Sequence, residues 1–178
     1  MSLLVVAYPK FAPHDRAWIQ SIRERYDPHF ELIAPHVTLV FPNDRIDAKL
    51  LGQHVGQVCQ AFSAFRFVAR TSIIVKDHFS PLTHLFLVPD EGFSQVVRLH
   101  DALYRGPLAA DLILEVPFIP HITIGAFDAM SEAKAQADAL NQASFSLACS
   151  ITTLSLIQDQ GQEIRTLEQF RLAGFEAN

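Results

Sequence analysis

A short pattern occurs twice in this chain of 178 residues, in matching settings. The first copy reads Ala34-Pro35-His36-Val37-Thr38-Leu39-Val40-Phe41, and the second reads Ile119-Pro120-His121-Ile122-Thr123-Ile124-Gly125-Ala126-Phe127. Each places Pro before His, then a β-branched residue, Thr and an aliphatic residue. A repeated element of this kind constrains the fold more than any other feature. It calls for two like halves, arranged so that both copies reach one place.

The likeness extends well beyond the motif. Leu3 to Pro9 is an apolar run followed by a helical stretch from Pro13 to Tyr26, with Trp18, Ile19, Ile22 and Tyr26 at helical spacing. His84 to Pro89 is a second such run, followed by a helical stretch from Gly92 to Tyr104 with a broad apolar face. After each motif the spacing predicts another helix. The first is Asp47 to Phe62, with Leu50, Leu51, Val55 and Val58 inward; the second is Ser131 to Gln142, with Ser131 as its cap and Glu132 in its first turn. Both halves then enter a strand through Phe, at Phe65 and Phe145. The order β-α-β-α-β therefore appears twice, at about 3–75 and about 84–157, with a closing strand at about 164–172 after the turn Gln158-Asp159-Gln160-Gly161. The offset is 85 residues between His36 and His121 but 80 between Phe65 and Phe145, so five residues differ between the copies. These units predict an α+β fold, a single bilobal domain over 1–178. A pseudo-twofold axis would relate largely antiparallel sheets around a central cleft, with helices outside.

Alternate side chains of a strand share a face. His36 and Thr38 should face the cleft while Val37, Leu39 and Phe41 enter the core. His121, Thr123 and Gly125 should face it from the other half, with Gly125 leaving room for close approach. Pro35 and Pro120 bias the chain toward extended geometry. Imidazole titrates near pH 6.5, so of two such rings one can take a proton while the other gives one. Threonine hydroxyls can donate to non-bridging phosphoryl oxygens. This is a sufficient set for opening a cyclic phosphodiester, and it needs no metal or other cofactor in principle.

Composition narrows the partners. Apolar residues make up 49% of the chain, which argues for a folded core, and the net charge of −5 provides no basic field for a long nucleic acid. Cys59 and Cys149 lack ligand spacing and read as buried free thiols, in keeping with a reducing cytoplasm. The start of the chain lacks the basic residues of a signal sequence, and no apolar run approaches the ~20 residues of a membrane helix. No phosphate-binding glycine loop or Gly-x-Ser-x-Gly motif occurs.

The duplicated Pro-His-Val-Thr-Leu and Pro-His-Ile-Thr-Ile strands resemble the signature of the two-histidine (2H) phosphoesterase superfamily, most closely its 2′-5′ RNA ligase-like branch. The resemblance covers nearly the whole chain. It implies a bilobal fold with both motifs in the cleft, and metal-independent hydrolysis of a 2′,3′-cyclic or related cyclic phosphate on a nucleotide or RNA terminus. It implies His36 and His121 as the acid–base pair and Thr38 and Thr123 as the phosphate-binding residues. Which histidine is acid and which is base stays open. Many RNA ligase-like relatives carry a basic residue shortly after the second motif, where this chain has Gly125-Ala126-Phe127-Asp128. That departure points away from 2′-5′ RNA ligation and toward a small cyclic phosphate, or an RNA end held chiefly by its terminus. A module that binds a nucleotide or RNA end without turnover is the other reading.

Other residues read first as structural. Tyr8, Phe41, Phe79 and Phe127 are expected in the core, with stacking on a ligand as a second use. His84 is expected to begin a strand and His78 to sit in a surface loop, while His14, His29, His54 and His100 read as surface or helix positions. Asp77, His78 and His84 lack any recognised metal-ligand spacing. Arg66, Arg70 and Lys76 stand at even intervals and could share one face toward a phosphate.

Overall fold

Each half begins with a strand that carries an apolar run. In a computed structural model that describes residues 1–174, the first half comprises β1 (Ser2–Ala7), a short β2 (Lys10–Phe11), α1 (Pro13–Tyr26), β3 (Val37–Asn43), α2 (Ala48–Gln60) and β4 (Phe65–Lys76). The second comprises β5 (Thr83–Glu91), α3 (Phe93–Leu103), β6 (Ile122–Phe127), α4 (Met130–Ala143), β7 (Leu147–Ile151) and β8 (Thr153–Asp159), and β9 (Ile164–Arg171) closes the chain. Residues 175–178, part of the expected domain range, lie outside the described residues. A 3-10 turn, Gly106–Asp111, separates α3 from β6 and has no counterpart in the sequence reading. Among the described residues no helix is long and apolar enough to cross a membrane.

The strands form two antiparallel sheets, β3-β1-β8-β9 and β2-β7-β4-β5-β6. The fold is α+β with two lobes, as expected, but the halves exchange parts. β4 of the first half pairs with β5 of the second, and β8 of the second pairs with β1 of the first. Where the two halves cross, Phe65–Ala69 lies antiparallel to Leu147–Ile151, with Phe67 opposite Cys149. The helices follow suit: α1 packs on β6, and α3 packs on β3. Tyr26 at the end of α1 meets Phe127 with ring centroids 5.2 Å apart, while Tyr104 after α3 accepts a 3.0 Å hydrogen bond from the Phe41 N–H.

Local chemistry explains two of the helix starts. The Asp47 carboxylate caps α2 by accepting from the N–H groups of Lys49 and Leu50 at 3.0 and 3.1 Å. Gly92 precedes α3 at φ +87°, where a Cβ would stand 2.5 Å from the Arg66 carbonyl oxygen. α4 differs from expectation: it starts one residue early, at Met130 after Ala129, and Ser131 lies within the first turn instead of capping it. Leu50, expected inward, is exposed, because it falls one position outside the stripe of Leu51, Val55 and Val58. His100, expected at a surface or helix position, lies on α3 but is buried, its ring stacked 3.7 Å from Phe118.

Arg23 is the largest fully buried polar side chain. Its Nε lies 2.7 Å from Asp27 Oδ2, and its other nitrogens donate to Gln20 Oε1 at 2.9 Å and to the Ile33 carbonyl at 2.7 Å. The guanidinium thereby ties the end of α1 to the loop that enters the first motif. Arg23→Met should remove about 3 kcal/mol or more of stability, because it leaves Asp27 buried and unpaired; urea unfolding measures this. Gly125→Ala should also destabilise, by about 1–3 kcal/mol, since its new Cβ would meet the Phe127 ring at 2.9 Å and Tyr26 Cβ at 3.0 Å.

Candidate active site

Both motifs enter their strands in the same way. β3 begins at Val37 and β6 at Ile122, so each histidine stands at the mouth of a strand, held by the proline before it. His36 Nδ1 lies 2.9 Å from the Ala34 carbonyl, and His121 Nδ1 lies 2.6 Å from the Ile119 carbonyl. A carbonyl only accepts, so Nδ1 carries the hydrogen in both rings. That leaves each Nε2 to take a proton when neutral or to give one when charged.

Beyond the threonines the duplication includes an irregularity. Val6 pairs with Thr38 but Val5 pairs with Val40, which makes Leu39 an extra residue in β3. Phe86 pairs with Thr123 but Leu85 pairs with Gly125, which makes Ile124 the extra residue in β6. The bulge inverts the alternation that follows it. Phe41, expected in the core, therefore lines the cleft. Gly125, expected in the cleft, instead faces Tyr26 of α1 and the Phe127 ring.

Thr38, His121 and Thr123 line one cleft of about 680 Å³ between the lobes. His36 stands beside it, its ring 6.2 Å from that of Tyr8 in an edge-on arrangement. It is close enough for its charge to oppose that of His121. Desolvation pushes His121 down to about 4, partly countered by its bond to Ile119 and reinforced by His36 and His84. Desolvation also holds His36 below the ordinary histidine value, against the pull of the Ala34 carbonyl. Neither ring has a carboxylate hydrogen-bonded to it. Both are therefore poised to be neutral until an anion arrives.

The His121 ring stacks on Phe86 with centroids 3.6 Å apart and planes 15° apart, and Phe86 stacks in turn on His84 at 5.7 Å. His84, read first as a structural strand residue, is thus part of the cleft wall. The signal was available: His84 and Phe86 alternate on one strand and so share a face. His84 Nε2 is 3.6 Å from Asp77 Oδ2. Burial pushes the Asp77 carboxyl up, but the Ser80 hydroxyl, the Phe79 N–H and neighbouring His84 outweigh it and hold Asp77 below the usual range. Among the described residues no three His, Cys, Asp or Glu side chains gather as metal ligands.

The remaining candidates divide. Arg66 and Arg70 turn to Glu91 and Asp90, with contacts of 3.6, 2.7 and 2.5 Å, and do not line the cleft. Lys76 does line it, yet its ammonium donates to the Pro81 carbonyl. Phe127 is buried as expected, whereas Phe79 is 73% exposed and Tyr8 is half-buried beside His36. His29, expected at the surface, is largely exposed but also borders the cleft. Cys59 and Cys149 are buried thiols that burial pushes up to about 12, and neither lines the cleft.

The family model of the 2′-5′ RNA ligase superfamily matches residues 11–163. A Geobacillus sp. (strain WCH70) protein bearing the name "Putative phosphoesterase" is 33% identical over 105 residues, which cover 59% of this chain and 58% of that protein. A Bacillus licheniformis protein of the same description is 27% identical over 122 residues, 67% of this chain and 68% of its own. The chain thus spans little more than half the length of the first of these relatives. Among solved structures, TT0787 of Thermus thermophilus superposes with a TM-score of 0.65 at 19% identity, covering 98% of this chain and 99% of that one. Escherichia coli LigT complexed with 3′-AMP superposes with a TM-score of 0.61 at 19% identity, covering 97% and 98%. At such identities the structural likeness is one of fold. The family match, which spans most of the chain and both motifs, goes further: this chain belongs to the 2′-5′ RNA ligase superfamily.

Proposed function

We propose that this chain is a phosphodiesterase that hydrolyses a 2′,3′-cyclic or related cyclic phosphate on a nucleotide or RNA terminus, with His36 and His121 as acid and base. The observation that carries the reading is the identical tethering of both rings. Each Nδ1 is satisfied by a carbonyl two residues back, and each Nε2 is left for chemistry. One imidazole takes a proton from water as its oxygen bonds to phosphorus. The other gives its proton to the ribose oxygen as the phosphorus–oxygen bond breaks. Thr38 and Thr123 donate to the non-bridging oxygens, where charge accumulates. The imidazole roles exchange when ring opening runs backward; 2′-5′ ligation would be the same ring opening with a 5′-hydroxyl in place of water. The description of Escherichia coli LigT as complexed with 3′-AMP accords with a nucleotide product in such a cleft.

One observation favours a second reading, a module that holds a nucleotide or RNA end without turnover. Both rings have lowered pKa values, so at neutral pH the unliganded cleft lacks a ready proton donor. Calorimetry with a cyclic nucleotide, followed by analysis of the recovered ligand, separates the two: heat of binding with intact ligand favours the module.

Turnover in EDTA should fall about 10²–10⁴-fold in His36→Ala and in His121→Ala, with both variants still folded. Full activity in the double variant would end the mechanism. The pH profile carries a sign. With both rings lowered in the free protein, and His121 at about 4, the bell for kcat/KM should centre below pH 6.5. A bound phosphate favours imidazolium, so the bell for kcat should lie at higher pH. Coincident profiles centred above 6.5 would contradict the desolvation of these rings.

A further inference from the structure

The two halves differ most beside the second motif. Thr38 pairs with Val6 and Thr123 with Phe86, so Leu4 and His84, two residues before these on their strands, hold matching places. Both line the cleft. The first half thus sets two aliphatic side chains next to its motif, and the second sets two rings. Those rings form a row with His121. His84 lies on Phe86 with centroids 5.7 Å apart, Phe86 lies on His121 at 3.6 Å, and the planes differ by 15° at each step. His36 has no such partner and meets Tyr8 edge-on at 6.2 Å. The far end of the row is fixed. His84 Nε2 is 3.6 Å from Asp77 Oδ2, and the loop joining β4 to β5 holds Asp77 in turn. Asp77 accepts from the Phe79 N–H at 3.2 Å and from the Ser80 hydroxyl, and its own N–H donates to the Leu82 carbonyl at 3.0 Å. His84 Nδ1 is buried without a partner among the described residues, so the ring takes its orientation from Nε2 and from the stack. Packing alone does not ask for an imidazole here, since Leu4 fills the equivalent place.

We propose that His84 is a positioning residue for His121: tethered to Asp77, it keeps Phe86 flat against the His121 ring, and its charge governs how readily that ring takes a proton. The inference rests on the two-histidine reading of the same cleft. The Ile119 carbonyl, 2.6 Å from Nδ1, fixes one edge of the His121 ring, and the Phe86 face fixes its plane. Nε2 is thereby aimed by two constraints, and the second is a plate that His84 backs. Like charges on the two sides of that plate oppose each other. His84, like His36, counts against a charged His121, after the larger effect of desolvation. The other ionisable groups lining the cleft are His29, Lys76, Asp77 and His78. Of these, Asp77 faces His84 and tempers its charge.

The test follows the His121 ring directly by proton NMR titration of the ligand-free protein, beside the pH profile for hydrolysis of a 2′,3′-cyclic nucleotide. His84→Gln removes the charge and keeps a donor for Asp77. His84→Leu gives the second half the residue of the first. Both should raise the His121 midpoint by about half a pH unit and move the corresponding limb of the kcat/KM bell by the same amount. His84→Leu should also lower kcat about 10-fold, by freeing the ring. A His121 midpoint that stays or falls in His84→Gln would overturn the inference. So would a loss of kcat in either variant with an unmoved bell, which is the result a purely structural role gives. Should His84→Leu fail to fold, His84→Gln decides alone. If the unaltered protein hydrolyses no cyclic nucleotide, the hydrolytic reading fails separately, and the titration still decides the role of His84.

Discussion

The antiparallel pairing of Phe65–Ala69 with Leu147–Ile151 is the contact on which the rest of the molecule depends. Through it each half sends its last strand into the other half's sheet. Neither half can bury its core alone, because β1 needs β8 and β5 needs β4. Apolar burial is the main favourable term in folding, and here it is shared across the duplication. The exchange also decides where the motifs lie. β3 and β6 become the outer strands of their sheets and meet each other between the lobes. An exposed strand edge is ordinarily a hazard. In this fold two bulged edges face one cleft, and the motif residues that line it are Thr38, His121 and Thr123, with His36 beside it.

The bulges serve the same arrangement. A regular strand would send Val40 and Gly125 into the cleft, in phase with the threonines. The extra residue at Leu39 and at Ile124 turns these positions toward the core, where Val40 is buried and Gly125 lies against Tyr26. The cleft then receives Phe41 on one side, while the equivalent position on the other is only Ala126. Duplication thus supplies matched imidazoles, and later divergence supplies an unmatched floor. Val6 stands in one half where Phe86 stands in the other, each paired with the motif threonine.

Much of this was legible in the amino-acid order, for identifiable reasons. Helical spacing located α1 at Pro13–Tyr26 and α2 from Asp47 onward, because such spacing is a local signal. Of the residues in the repeated motif, Thr38, His121 and Thr123 line one cleft and His36 lies beside it. What was hidden depends on contacts distant in sequence. The exchange of β4 and β8 is a choice between pairings of equal local merit. The bulges shift phase only against a partner strand, so Gly125 and Phe41 were placed on the wrong faces. His100 shows its role only once Phe118 arrives from beyond the 3-10 turn. Arg66 and Arg70 share a strand with Lys76 but not its surroundings, since Asp90 and Glu91 sit opposite them.

The charge of the cleft bears on how an anion is held. Among the described residues Lys76 is the one lysine or arginine lining it, and its ammonium is engaged by Pro81. The place after the second motif, where many relatives carry a basic residue, is occupied here by Gly125, Ala126, Phe127 and Asp128. On the proposed reading, compensating charge at a phosphate would then come chiefly from the imidazoles themselves. Desolvation lowers both rings, so on the proposed reading anion binding and proton uptake would be one linked event. On the proposed reading a bound phosphate would create the imidazolium it needs, and the proton taken up with it would serve the leaving oxygen. Permanent cations would bind long polyanions with or without a scissile group. A cleft charged on demand would, on the proposed reading, favour a terminal or small cyclic phosphate over the middle of a nucleic acid strand.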